Sequence, residues 1–374
     1  MSEGSAFTDC PAARSDARLG RPGLPPQPDA MTRRPRAPCL LLAVLAVASC
    51  ARAPDPQYFE GDTMGTTYRV TLTALPDRVS RAEVQAVIDE VLDDADAHLS
   101  TWRDDSEISR FNSRASVDWV PVSDDLRSVL GEAQRVAGET QGAFDVTVAP
   151  IVDLWGFGRD TRAPVHAPSA QQLHDARDNV GRALLEVQEQ PPAIRKRREG
   201  VRVDVAGIAP GFAVDRIAER LRRLRVKDAL VELGGEVRAW GRNPDGVPWI
   251  VAVEAPVAGE RRVYALEQLD GQSISTSGDY RDFRLVDGTR VSHTIDPRTG
   301  LPVDRGLASV SVVHPSAMTA DAYATALMVL GPGPGLRFAT EHHLAALLLE
   351  RVPGRAGWRE HVTPEFARLR QPRS

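Results

Sequence analysis

Apolar positions recur along this chain with two different periods. In Tyr68-Arg69-Val70-Thr71-Leu72 they alternate, which predicts a strand. Ser80 and Glu83 have capping-box spacing, and Val84, Val87, Ile88, Val91, Leu92, Ala95 and Leu99 follow on one helical face, so a helix is predicted over 81–99. A second helix is predicted from Ser123 through Leu126, Val129, Leu130, Ala133, Val136 and Ala137. Beyond Arg182 the two periods mix. Residues 202–205, 229–233, 249–254, 273–277, 290–295 and 309–313 read as strands, interrupted by helices at 211–225 and 318–330. Strands outnumber helices without alternating regularly with them, which argues against a doubly wound sheet and for an α+β fold of mixed or antiparallel sheets with packed helices.

One apolar run stands outside both periods. Cys39 to Ala48 follows Arg33, Arg34 and Arg36, the layout of an export signal, and is too short to span a bilayer. It ends in Val47-Ala48-Ser49-Cys50, which resembles a lipobox: small residues suit a signal peptidase and the Cys50 thiol receives the lipid that holds the chain on a membrane. The other reading is an ordinary signal peptide with a coincidental cysteine. Residues Met1 to Ala30, rich in Pro, Gly, Ala and Arg, precede a compact signal starting at Met31, which points to translation beginning there. The expected organisation is therefore a non-native or disordered extension at 1–30, a lipoprotein signal at 31–49, a tether at 50–59, one domain over 60–366 and a tail at 367–374. The expected location is outside the cytoplasm, lipid-anchored, on the periplasmic side of one membrane if the organism has two.

Composition narrows the chemistry. Of 374 residues 42% are hydrophobic and 26% charged, enough for one large core or two smaller ones. Lys and Arg number 46 against 51 Asp and Glu, a net charge of −5 that gives no footing for nucleic acid. The basic run Arg195-Lys196-Arg197-Arg198 reads as the solvated edge of a hairpin. The cysteines are Cys10, Cys39 and Cys50, so from Ala51 onward no internal disulfide or thiolate site can form, and any metal there takes oxygen or imidazole.

Five glycine-punctuated segments place polar side chains beside backbone that a ligand can approach. They are Met64-Gly65-Thr66-Thr67; Gly142-Ala143-Phe144-Asp145-Val146-Thr147, ahead of Trp155-Gly156-Phe157-Gly158; Asp204 to Asp215; Ser275 to Tyr280 with Ser292 to Gly300; and Thr319 to Ala326. The third runs strand, turn, helix start, and a helix start near Gly211 is expected to face an anion. In the last, Asp321 and Thr325 are four apart on a predicted helix, a carboxylate and a hydroxyl on one face that suit Mg²⁺. Most such pairs are surface hydrogen bonds or caps. The Trp155 to Phe157 corner is either packing or a wall of a ligand pocket, His342 and His343 diverge on a helix end, and Asp153 and Asp215 read as residues that cap or orient helices.

Together, MGTT, STWRDDSEISRFN, GAFDVTVAPIVDLWGFG, DVAGIAPGFAVD, STSGDYRDF, SHTIDPRTG and TADAYATALMVLG resemble the ApbE family of FAD:protein FMN transferases, in order, from about Glu60 to Phe366. The resemblance implies a T-fold-like α+β architecture, FAD as FMN donor and Mg²⁺ as cofactor. It implies FAD contacts at Met64, Trp102, Ala143, Phe144, Asp145, Asp204 and Ile295, with position 210 beside the phosphates, and Mg²⁺ between the Gly207 carbonyl, Asp321 and Thr325. It implies an acceptor flavoprotein subunit, exported or in the membrane, carrying a Ser/Thr-Gly-Ala-Ser/Thr-like motif. The chain departs from the pattern at Pro210, where many members have Lys, and at Ala324, where some have an acidic residue, so the phosphates lose a cation and the metal one ligand. His293 has the chemistry of a general base for the acceptor hydroxyl, since an ordinary imidazole is largely neutral at pH ~7; the alternative is a hydrogen bond to the Asp296-Pro297 turn. Two rival functions use the same residues: an FAD pyrophosphatase releasing FMN and AMP, and a non-catalytic FAD-binding lipoprotein.

Overall fold

The computed structural model describes residues 55–159, 166–257, 259–280, 283–354 and 357–370. The expected extension, signal, lipid-accepting Cys50 and the last four residues of the tail lie outside them.

In chain order the strands are β1 (Gln57–Thr63), β2 (Thr66–Leu72), β3 (Val120–Pro121), β4 (Leu185–Gln188), β5 (Ala193–Lys196), β6 (Ala229–Leu233), β7 (Glu236–Trp240), β8 (Trp249–Glu254) and β9 (Val263–Leu269). They continue as β10 (Ser273–Gly278), β11 (Phe283–Val286), β12 (Thr289–Ser292), β13 (Ile295–Asp296), β14 (Leu301–Pro302), β15 (Leu307–His314), β16 (Ala345–Arg351) and β17 (Trp358–Val362). The helices are α1 (Arg81–Leu99), α2 (Glu107–Ser113), α3 (Asp124–Glu139), α4 (Ala149–Leu154), α5 (Ala170–Arg177), α6 (Ala209–Arg223), α7 (Ala317–Leu330), α8 (Pro332–Glu341) and α9 (Pro364–Leu369).

An eight-stranded sheet in the order β1-β2-β6-β7-β10-β15-β16-β17, antiparallel at every pairing, forms the frame. The α+β expectation holds. In the middle of the sheet the alternation resolves into two cores. Val310, Val312, Ala346 and Leu348 face one way, toward α3, α6, α7 and α8, while Ile274, Val313, Leu347 and Leu349 face the other, toward β8, β9 and α9. A further core joins β1, β2 and β6 to α1 and α6 through Phe59, Val70, Ile88, Ile217 and Val231.

The capping box of α1 is present, with Ser80 accepting from the Glu83 amide and Glu83 reaching back, and its apolar face is buried at Val84, Ile88, Val91, Leu92, Ala95 and Leu99. Helix α7 differs in being buried almost all round, Thr319 to Ala324 without interruption, as a helix clasped between a sheet and other helices must be.

Three expectations fail for physical reasons. Residues 202–205 alternate as read, with Val201, Val203 and Val205 buried, yet form no strand beyond one bridge from Arg202 to Val148. The Asn112 amide takes the place of a neighbouring strand, donating to Val203 O at 2.8 Å and accepting from Val203 N at 2.7 Å. The strand expected over 290–295 breaks at His293 and Thr294 into β12 and β13. The basic run is a solvated edge only in part: Arg197 and Arg198 are exposed, but β5 is the centre of its sheet and Lys196 is fully buried, donating to Asn112 O, Arg114 O and Glu199 O, with burial pushing its pKa down to about 8.

Order extends beyond the expected limits at both ends. β1 begins at Gln57 inside the expected tether, and α9 carries structure past Phe366 to Leu369, with Arg370 paired to Glu267 and Glu360. Among the described residues no helix is long and apolar enough to cross a membrane.

Candidate functional site

Between the sheet, the start of α6, the middle of α7 and the hairpins β8-β9 and β11-β12 lies a cavity of about 1660 Å³. Every residue proposed above for ligand or metal lines it: Met64, Trp102, Ala143, Phe144, Asp145, Asp204, Gly207, Pro210, His293, Ile295, Asp321 and Thr325. They come from positions spread over more than two-thirds of the sequence.

Local structure explains how each arrives. Met64 and Gly65 turn β1 into β2 with φ of 49° and 74°, and Met64 lines the cavity from that turn. Trp102 follows α1 in a turn held by Ser100 Oγ and is 55% exposed at the cavity mouth. Ala143, Phe144 and Asp145 leave α3 through Gly142, with the Phe144 amide donating to Thr140 Oγ1 at 3.2 Å. Asp145 accepts from the Thr147 amide and hydroxyl at 2.9 and 2.6 Å, but burial outweighs these bonds and raises its pKa above the ordinary carboxylate value. Asp204 is raised in the same way, chiefly by burial and secondarily by Asp153, while the Ala206 amide and His293 oppose the shift.

The two stretches read as metal-binding meet. A Cβ placed on Gly207 would lie 2.9 Å from Thr325 Oγ1, so a larger residue there would have to push that hydroxyl aside. Thr325 Oγ1 is 3.3 Å from Ser277 Oγ. One turn earlier on α7, Asp321 is 5% exposed and accepts from the Gly211 amide at 3.3 Å. Burial raises its pKa to about 7 against the modest opposition of that one bond, and among the described residues no Lys or Arg pairs with it.

The same bond corrects one expectation. The Gly211 amide at the start of α6 faces Asp321, and Pro210 beside it has no N–H, so these two positions offer an anionic ligand no donor. Ala324 is fully buried in the main core and does not line the cavity. His293 lies at the wall with its ring edge-on to Phe157, centroids 6.4 Å apart. Trp155 serves packing, buried and donating to Gly300 O at 2.8 Å, while Phe157 lines the cavity, so that corner fills both roles. His342 and His343 are exposed, Asp215 caps α7 and Asp153 pairs with Arg202.

Sequence reading missed the lip. Ile250 of β8 and Val263 of β9 are 55% and 57% exposed where they line the cavity, joined by Phe283 and Arg284 of β11. The available signal was apolar residues on both faces of short strands that pair only with each other.

An antiparallel sheet layered with helices, opening on one cavity that gathers a carboxylate, a hydroxyl and a close backbone approach, defines an α+β protein with a ligand site built from distant segments. Comparison with known proteins gives that class a narrower identity. The chain belongs to the ApbE family, whose family model matches residues 64–348. It is 40% identical over 318 residues to the FAD:protein FMN transferase of Haemophilus influenzae, covering 82% of this chain and 90% of that protein. It is 36% identical to the FAD:protein FMN transferase of Escherichia coli K12 over 87% of this chain and 95% of that protein. Among solved structures it resembles the flavin transferase ApbE from Vibrio cholerae with TM-score 0.77 and 37% identity, over 84% of this chain and 99% of that one. The apo form of the Pseudomonas stutzeri flavinyl transferase ApbE gives TM-score 0.76 at 37% identity, over 84% of this chain and 96% of that one.

Proposed function

We propose that this chain is a Mg²⁺-dependent transferase that moves FMN from FAD onto a Ser or Thr hydroxyl of an exported or membrane flavoprotein subunit, releasing AMP. The observation that carries the reading is that Gly207 lies against Thr325, with Asp321 one turn earlier on the same helix, and that all three line one 1660 Å³ cavity. That volume exceeds the range of about 300–1,000 Å³ common for small-molecule pockets, leaving space for an acceptor segment beside a dinucleotide. Relatives named FAD:protein FMN transferase at 35–40% identity support the activity.

The donors fit a hard divalent ion. Asp321, Thr325 and the Gly207 carbonyl are all oxygens, and a buried carboxylate whose proton is held up to about pH 7 gains a partner for its charge when a cation binds. Among the described residues no group of three or more His, Cys, Asp or Glu gathers, so an ion at this single carboxylate keeps positions for phosphate oxygens and water, the habit of Mg²⁺. Bound there, Mg²⁺ supplies neutralisation of charge on the departing phosphate.

The chain's own residues do the rest. Trp102 at the mouth and Phe144 within offer aromatic faces to the flavin. The acceptor oxygen attacks the FMN-side phosphorus, the new P–O bond forms as the bridging P–O bond breaks, and AMP leaves with the electron pair. His293 receives the hydroxyl proton. On this reading His293→Gln lowers kcat about 10²–10⁴-fold while the KM for FAD changes little, measured by steady-state flavinylation of an acceptor peptide.

Incubating the protein with FAD and a peptide carrying a Ser/Thr-Gly-Ala-Ser/Thr-like motif, with and without Mg²⁺, tests the function directly. Mass spectrometry should find the FMN adduct only with Mg²⁺; free FMN and AMP with unmodified peptide would instead establish a pyrophosphatase. The reading includes export and a lipid anchor at Cys50. Sequencing the mature N-terminus should find diacylated Cys50 as its first residue, and a different, unmodified terminus removes the anchor.

A further inference from the structure

We propose that Asp215 is a positioning residue for the metal site, holding α7 in the register that sets Thr325 against Gly207 and Asp321 against the Gly211 amide at the cavity wall; this rests on the metal reading above. Asp215 is not part of the cavity wall. It lies on α6 four residues after Gly211, hence on the same face. Its Oδ1 accepts from the Ala317 amide at 3.0 Å, and its Oδ2 from the Met318 amide at 3.1 Å and the Ser316 hydroxyl at 2.7 Å. One carboxylate thus takes up two of the amides that the α7 start leaves unpaired, and its charge suits the positive end of the helix. Arg238 of β7 pairs with Oδ1, tying the cap to the central sheet; the two side chains are 15% and 18% exposed, so solvent screens the pair weakly.

The geometry repeats at a spacing of four. Ala317, Asp321 and Thr325 lie on one face of α7, and Gly211 and Asp215 lie on one face of α6. The helices are joined at two levels, Asp215 to the amides at 317 and 318 and the Gly211 amide to Asp321. Two attachments one turn apart fix both the height and the rotation of α7. A slip of one residue would swing Asp321 by about 100° and raise it by about 1.5 Å, away from the Gly211 amide it now accepts from.

The test is calorimetric titration with Mn²⁺ alone, as a probe of the Mg²⁺ site, on the parent, Asp321→Ala, Asp215→Ala, Asp215→Asn and Arg238→Gln, with melting temperatures and the Mg²⁺ dependence of transfer beside it. The parent should bind Mn²⁺ and Asp321→Ala should not. Asp215→Ala should weaken binding about 10–100-fold, as removal of groups that orient metal ligands does. The Mg²⁺ needed for half-maximal transfer should rise in parallel while the KM for FAD at saturating Mg²⁺ stays near the parent's. Asp215→Asn, which keeps an acceptor oxygen without the charge, and Arg238→Gln should fall between. A folded Asp215→Ala with the parent's Mn²⁺ affinity overturns the proposal even if its melting temperature has dropped, because Asp215 is then only a helix cap. Should Asp215→Ala fail to fold, parental affinity in both Asp215→Asn and Arg238→Gln overturns it equally. A parent that binds no Mn²⁺, or binds it unchanged after Asp321→Ala, overturns the metal reading and this inference together.

Discussion

Asp321→Asn is expected to abolish FMN transfer and, in metal-free buffer near pH 8, to leave a protein at least as stable as the parent. The loss of activity follows from removing the only carboxylate in the proposed Mg²⁺ set. Deleting one preorganised electrostatic contact to a transition state typically costs about 10²–10³-fold, and a cation that no longer binds costs more. The stability follows from burial. Asp321 is 5% exposed with a single amide donor, and its pKa is raised from 3.8 to about 7. Because the folded value lies above the unfolded one, the group's contribution to stability is whole below pH 3.8 and is lost as pH rises through about 7. Asparagine keeps an acceptor for the Gly211 amide and has no charge to bury, so this pH dependence should vanish. Melting curves of the two proteins in EDTA between pH 4 and pH 8, alongside the acceptor-peptide assay, check both halves. Parental activity in the variant would exclude Asp321 from the site; a parental fall in melting temperature with pH would mean that another group titrates.

Gly211→Ala should be nearly as damaging by a different route. A Cβ at this position would stand 2.4 Å from the Ala317 carbonyl oxygen, 2.7 Å from its carbon and 2.8 Å from Met318 Cα. These are backbone atoms of a buried helix, so no side chain can move aside, and α6 and α7 must part. Overpacking of this kind costs about 1–3 kcal/mol. Separation also lengthens the Gly211 to Asp321 bond and draws Thr325 from Gly207, so activity should fall at least tenfold in protein that is still folded. Urea denaturation and specific activity at matched folded fraction measure the two effects. Unchanged stability would show that the helices tolerate a wider spacing, and unchanged activity that the site does not depend on their contact.

Much of the fold was legible because it follows local rules. The box of Ser80 and Glu83 with its apolar face gave the bounds of α1, and the strands at 229–233 and 249–254 emerged with the limits their patterns set. What misled was burial by unlike partners. Val203 alternates like a strand residue but pairs with the Asn112 side chain, and Lys196 is a charge in a basic run that turns inward to backbone carbonyls. Asn112 and Arg114 lie more than eighty residues from the groups they satisfy, so no local pattern announces these contacts. The candidate site was legible mainly through its motif strings; their individual signals, an acid and a hydroxyl four apart or a glycine after a small residue, occur on many surfaces.

By itself the sequence determined the α+β class, the family and part of the cavity wall, because capping, alternation and motif order are written along the chain. Only the tertiary structure decided that Gly207 and Thr325, more than a hundred residues apart, touch, and that the Gly211 amide serves Asp321 instead of a ligand phosphate. The physical reason is that a contact between distant segments depends on how two helices pack across a sheet, and that packing is set by the whole core at once.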